Sequence, residues 1–157
     1  MISMVKQKAK TPAVITNRRA RHDYEFKQKF LAGIMLEGAE VKSLRSSHGN
    51  LRGAFVNVKD GELWLFNATI TPTNTNRNAL TEDKQVRARK LLVNKRELAE
   101  LISAKEQGLT IIPTKLLTGR HFIKVEIATG RGLKKYDKRE KIKQRDTDRD
   151  TRRSLKR

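Results

Sequence analysis

Apolar residues are spaced along this chain in two alternating rhythms, and those rhythms predict most of its elements. Tyr24, Phe26, Phe30, Ile34 and Leu36 recur at mostly even spacing, the period of a half-buried strand, with Gly33 marking a bulge or bend. Ala39, Val41 and Leu44 then fall at helical spacing ahead of Gly49, which predicts a short helix over Glu40 to Ser47. Ala54, Val56 and Val58 alternate with polar residues up to Asp60-Gly61. That dipeptide is a preferred two-residue hairpin turn, and Leu63-Trp64-Leu65-Phe66 begins the return strand.

Residues 73 to 85 are polar and read as a surface loop. Asn94 stands three residues before Glu97, a variant of the capping box. The stripe Leu98, Leu101, Ile102 extends the helix from Lys95 to about Glu106, before Gly108. Two β-rich runs, Thr110 to Leu117 and His121 to Ala128, flank Thr118-Gly119-Arg120, which predicts a second hairpin. No repeat of solenoid period is visible. About six strands and two or three helices around one small core predict a mainly β fold, a closed or partly closed barrel of OB type.

Charge divides the chain further. At 157 residues and a net charge of +19, it is one modest domain with a polyanionic partner. The excess sits at the ends: residues 1 to 22 carry six basic and no acidic side chains, and residues 131 to 157 carry thirteen basic and five acidic. In that last segment only Leu133, Tyr136, Ile142 and Leu155 can feed a core, so burial cannot offset its ordering entropy. The expected organisation is a basic flexible segment over 1–16, an RNA-binding barrel over 17–130, and a tail over 131–157, disordered when free. Helix is latent in the tail: Asp137 can cap a turn whose N3 residue is Glu140, and Asp137–Lys141 and Asp148–Arg152 are favourable spacings. Tyr136 is the one tail aromatic and suits stacking on a base.

Chemistry-bearing motifs are sparse. There is no cysteine, which excludes disulfides, thiolate ligands and a cysteine nucleophile. His22, His48 and His121 are scattered, so no zinc site is expected. No phosphate-binding loop, dinucleotide fingerprint or nucleophile elbow occurs, and no apolar run suits a membrane span or a signal. A non-catalytic, cytoplasmic protein without metal or cofactor is expected. Glu40-Val41-Lys42 is the sharpest enzymatic suggestion: on a strand, and with Asp23 or Glu25 nearby, it would suit a Mg²⁺-dependent nuclease. Such triplets are common by chance, and Glu40 equally suits a helix start. His22 beside Arg18, Arg19 and Arg21 can meet a base or phosphate, or be an ordinary surface residue. Arg87, Arg89 and Lys90 can track a phosphate backbone while Leu92 packs inward or on the partner, or line a solvated strand edge.

Four ordered motifs carry a resemblance over nearly the whole chain: Asn17-Arg18-Arg19-Ala20-Arg21-His22-Asp23-Tyr24, Gly38-Ala39-Glu40-Val41-Lys42-Ser43-Leu44-Arg45, Arg89-Lys90-Leu91-Leu92, and Tyr136-Asp137-Lys138-Arg139-Glu140. Together they resemble the small protein B family, the bacterial transfer-messenger RNA (tmRNA) binding proteins of trans-translation. The resemblance implies an OB-type barrel that grips the tRNA-like domain of tmRNA and helps place it in the vacant A site of a stalled 70S ribosome. It also implies a tail that folds as a helix in the empty mRNA channel, beside the 16S rRNA of the decoding centre. Stalled ribosomes are thereby rescued and nascent chains tagged for degradation. Catalysis is left to others: alanine comes from alanyl-tRNA synthetase, and elongation factor Tu with GTP delivers the charged tmRNA. The implied protein is a monomer.

Carried over position by position, the implied tmRNA-binding set is His22, Glu40, Lys42, Arg45, Lys90, Leu92 and Asn94. The implied ribosome-contacting set is Gly132, Lys134, Lys135, Tyr136, Asp137, Lys138 and Arg139. Two departures from the pattern matter, at Leu31 and Leu133. Leu31 stands where relatives often have a glutamate before the Ala-Gly pair. Leu133 stands where a lysine usually follows the glycine, so the paired lysines become Lys134 and Lys135, and Tyr136 replaces a histidine of some relatives. A structural ribosomal or nucleoid protein would use the same charge without tmRNA preference.

Overall fold

The computed structural model describes residues 13–156. In chain order the elements are β1 Ala13–Thr16, α1 Arg18–Asp23, β2 Tyr24–Ile34, α2 Gly38–Arg45, β3 Gly49–Asn50, β4 Phe55–Lys59, β5 Glu62–Phe66 and β6 Thr69–Ile70. There follow α3 Glu82–Gln85, β7 Arg89–Leu92, α4 Lys95–Glu106, β8 Thr110–Thr118, β9 Ile123–Gly132 and α5 Lys135–Leu155. The main sheet runs β1-β8-β4-β5-β7-β2-β9, and β8 also pairs with β9. That pairing joins β8, β4, β5, β7, β2 and β9 into a closed ring, the small barrel expected of the OB type. Closure rests at one point on a single ladder pair, Val56 with Ile111.

Inward positions alternate as strand geometry requires. Phe30 and Ala32 of β2 face Ile127 and Val125 of β9, and Leu63, Leu65, Leu91 and Leu116 belong to the same buried core. The flanking helices seal it through Leu44 of α2 and Leu101 of α4.

Local signals and elements agree where the determinants are contiguous. Asp60 and Gly61 have φ of 53° and 72°, the left-handed pair that a two-residue hairpin needs. The helix over Lys95–Glu106 begins where its capping box places it, Asn94 N–H donating to Glu97 Oε2 at 3.3 Å.

Elsewhere the structure corrects the pattern. The β2 irregularity lies between Phe26 and Gln28, not at Gly33, which sits in regular register with Leu92 on one side and Lys124 on the other. A Cβ at Gly33 would stand 3.4 Å from the Leu92 Cβ, so the glycine serves a close cross-strand approach. The 73–85 stretch is more than a polar surface loop. Leu80 enters the core, α3 forms, and Asn76 is buried, accepting from Thr73 N–H at 2.6 Å and donating to Ala39 O and Ser43 Oγ at 2.9 Å each. A lone leucine and an asparagine whose partners lie on α2 leave no periodicity to read.

Both chain ends differ from the expected division. Ala13–Thr16 is a strand paired with Lys115–Thr118, so part of the 1–16 segment is in the sheet; the rest lies outside the described residues. α1 has no apolar stripe to announce it, Ala20 being its one buried residue. It is pinned by buried Asn17, whose Oδ1 accepts from Ala20 N–H at 3.2 Å and whose Nδ2 donates to Leu51 O and Pro113 O at 3.1 and 2.9 Å. At the other end β9 runs on to Gly132, opposite Tyr24, so Arg131 and Gly132 belong to the sheet. Asp137 is not the cap of the last helix but its N3 residue, its carboxylate accepting from Lys134 N–H at 3.3 Å. α5 buries no residue.

Candidate nucleic-acid interface

Glu40 and Lys90 belong to the implied tmRNA-binding set, and Arg87 and Arg89 could track a phosphate backbone or line a solvated strand edge, but the fold buries Glu40 and Arg89 and half-buries Arg87 and Lys90. β7 lies between β5 and β2 and is no strand edge. Arg89 is 0 % exposed, as is Glu40. Arg89 Nε donates to Glu40 Oε1 at 2.9 Å, Nη1 to Ala68 O and Arg87 O, and Nη2 to Lys84 O and Gln85 O. All five guanidinium donors are thereby satisfied. Arg87 grips the same carboxylate from outside, Nη2 on Oε2 at 2.6 Å and Nε on Oε1 at 2.9 Å, and Glu37 N–H adds a bond to Oε2 at 2.8 Å.

Burial works most strongly to raise the Glu40 pKa, yet the bonds from Arg87, Glu37 and Arg89 outweigh it and hold the carboxyl below its ordinary range. With both oxygens occupied, Glu40 has none open to RNA. Its work is to fix α2 against β7. It also sits on a helix rather than the strand the nuclease reading required, and among the described residues no group of His, Asp and Glu is arranged to hold a metal ion.

What remains outside forms two separate clusters. One lies where β7, β2 and β9 run side by side. Leu92 is 51 % exposed and faces Gly33, with exposed Asn94 just beyond it. Lys90 is half-buried and bonded to Glu62 at 2.6 Å. Exposed Lys42 and Arg45 occupy the last turn of α2, and Arg45 Nη2 donates to Arg120 O in the β8–β9 turn at 3.3 Å. Leu31, the apolar departure, is exposed opposite Glu126, which is paired with Lys29 and Lys115 at 3.7 and 3.9 Å.

The second cluster is at the far end of β2. His22 precedes Tyr24, nine positions from Gly33 along the strand, or roughly 30 Å at strand rise. His22 lies at that end of β2, whereas Leu92 lies beside Gly33 at the other. His22 Nδ1 bonds Asp23 Oδ1 at 3.0 Å, and Lys138 Nζ reaches the same oxygen at 3.0 Å. Arg19 Nε donates to Asp23 Oδ2 at 3.4 Å, and Leu133 N–H donates to the Asp23 carbonyl at 2.8 Å. The bond from His22 and then that from Lys138 lower the Asp23 pKa from 3.8 to about 2. One carboxylate thus joins a residue of the expected tmRNA set to one of the expected tail set.

The tail residues radiate from this anchor. Gly132 ends the ladder, Lys134 caps α5, and Lys135 and Arg139 are exposed. Tyr136 is 69 % exposed, with its hydroxyl pKa raised by the bond to Glu140. In the sequence Asp23 stands as a possible metal ligand of the nuclease alternative and as a member of the Asn17–Tyr24 motif. Its i,i+4 spacing from Arg19 was visible, but the partnership with Lys138 was not.

The match to known proteins spans the same elements. The profile described as "SmpB protein" matches residues 14–157. An SsrA-binding protein of Pseudomonas entomophila (strain L48) is 45% identical over 154 residues, covering 97% of this chain and 96% of the relative. One of Coxiella burnetii (strain Dugway 5J108-111) is 45% identical over 157 residues, covering 98% of each. A solved chain described under "tmRNA-SmpB: a journey to the center of the bacterial ribosome" is 40% identical with a TM-score of 0.64, covering 82% of this chain and 94% of that one. The family match over residues 14–157 and 45% identity over nearly the whole length of both chains place this chain in the SmpB protein family.

Proposed function

We propose that this chain binds tmRNA, the SsrA RNA, and acts with it in trans-translation on the ribosome. The observation that carries this is near-complete alignment at 45% identity with SsrA-binding proteins, supported by the match to the tmRNA-SmpB structure. The geometry agrees with an RNA adaptor rather than a catalyst. It offers a barrel face of Leu92, Asn94, Lys42 and Arg45, and, at the other end, a projecting cationic helix anchored by Asp23.

In this reading the barrel face takes the tRNA-like domain of tmRNA. The tail enters the empty mRNA channel beside the 16S rRNA of the decoding centre, and elongation factor Tu meets the protein through charged tmRNA. The chain works as a cytoplasmic monomer without cofactor or reaction of its own; no helix among the described residues is long and apolar enough to cross a membrane. α5 buries nothing, so its helix exchanges with disordered states when free and is held on the ribosome by contacts that neutralise its charge.

Binding to the isolated tRNA-like domain, to an ordinary tRNA and to generic duplex RNA tests the reading. The expected result is a clear preference for the first, with affinity falling as salt rises. Equal affinity for all three would refute it and favour a general ribosomal or nucleoid role. Truncation after Gly132, the last residue held in the sheet, should leave tmRNA binding largely intact while abolishing tagging on stalled ribosomes.

A further inference from the structure

Where α1 meets the start of α5, the chain gathers cations around one carboxylate. Residues 17–24 and 131–139 carry eight lysines and arginines against two acids, Asp23 and Asp137. The Asp137 carboxylate accepts from Lys134 N–H at the head of α5, which leaves Asp23 as the counter-charge for the rest. Its side chain, 25% exposed, takes Lys138 Nζ on Oδ1 at 3.0 Å and Arg19 Nε on Oδ2 at 3.4 Å. Its backbone is fixed: Leu133 N–H donates to the Asp23 carbonyl at 2.8 Å, and the next residue, Tyr24, is in ladder register with Gly132.

This geometry sets two anions in competition. An RNA phosphate approaching the cluster offers oxygens to the same donors, but it meets the fixed Asp23 charge at their centre and is repelled by it. Lys138 turns fully to a phosphate only by leaving Asp23. That contact is also the one ion pair joining α5 to the rest of the chain among the described residues. α5 buries no residue, so no apolar packing holds the helix in place once the pair opens.

We infer that Asp23 is an autoinhibitory counter-ion: in the free protein it occupies Lys138 and Arg19, holds α5 against α1, and screens this cation cluster from generic RNA. This rests on the RNA-binding function proposed above. A partner already held elsewhere on the chain presents phosphates at high effective concentration and exchanges them for the carboxylate. A duplex arriving alone works against it. The carboxylate thereby lowers affinity for the wrong partner more than for the right one, which is how a repulsive element produces selectivity.

The test measures binding of the full chain to a generic RNA duplex across a salt series. Asp23→Asn keeps the shape of the side chain and should raise duplex affinity by about 2- to 20-fold, the strength of two exposed ion pairs that RNA no longer has to break. The slope of log affinity against log salt should steepen by about one phosphate equivalent. Glu25→Gln changes the net charge equally, two residues along, and should gain distinctly less. A second comparison leaves Asp23 in place. Lys138→Met should cost less duplex affinity than Lys135→Met, at an exposed position outside the pair, and that difference should vanish in an Asp23→Asn background. A folded Asp23→Asn protein that gains no affinity, equal gains in Asp23→Asn and Glu25→Gln, or a Lys138→Met loss as large as that of Lys135→Met would overturn the assignment. In each case a wild-type protein that prefers the tRNA-like domain of tmRNA over the duplex leaves the broader function standing, whereas absence of that preference in the wild type would strike the function itself.

Discussion

Replacing Glu40 with alanine should damage the fold before it damages RNA recognition. The substitution leaves Arg89, which has no exposed surface, with four donors still on backbone carbonyls but without its counter-charge. Arg87, at 31% side-chain exposure, can turn toward water, so the cost falls mainly on Arg89. Removing one partner of a buried ion pair costs about 3–5 kcal/mol. The four carbonyls that remain place this case near the lower end, about 3 kcal/mol. That is a large share of the ~5–15 kcal/mol that stabilises a domain of this kind.

Urea unfolding followed by circular dichroism reads the effect directly. With a slope of about 1–3 kcal/mol/M, the midpoint should fall by roughly 1–3 M. Removing both charges, in Glu40→Ala with Arg89→Met, should recover much of the loss, because no uncompensated charge is left inside. A single variant within about 1 kcal/mol of wild type, or a double variant no better than the single one, would refute the reasoning. A Glu40→Gln protein of wild-type stability that has lost RNA affinity would show instead that the carboxylate meets RNA itself. Acid acts the same way: because the folded pKa of Glu40 is depressed, its contribution is present above the ordinary glutamate range and is lost as pH falls through the lower folded value.

Other outcomes follow from single contacts. Asp23→Asn should loosen the first turn of α5, seen as faster amide exchange over Lys135–Arg139. In the wild type that anchor should hold at neutral pH and weaken only as pH falls from about 4 through the folded value of about 2. Gly49→Ala would place a Cβ 2.7 Å from Leu44 Cδ2 and 2.9 Å from Ile15 Cδ1, an overpacking cost of about 1–3 kcal/mol in urea unfolding. Asn17→Ala removes the α1 cap and leaves Leu51 O and Pro113 O without its donor, for a loss of about 1–3 kcal/mol in the same assay.

The sequence by itself determined the parts whose causes lie within a few residues. Asp60-Gly61 turns the hairpin because both residues must take positive φ, Asn94 with Glu97 starts α4 because each satisfies the other's end of one turn, and alternation along β2 and β4 marks which side chains face the core. Tertiary structure alone decided the rest. Arg87 and Arg89 look like any exposed cations until closure of the barrel brings β7 to α2, 47 and 49 residues distant from Glu40. Asn76 and Leu80 leave no periodic trace because each acts alone. Lys138 finds Asp23 only once β9 has been laid beside β2 and has delivered the start of α5 to the end of α1. Backbone preferences are local and can be read along the chain. The choice of partner for a charge depends on which distant segments share a surface, and that is fixed by packing.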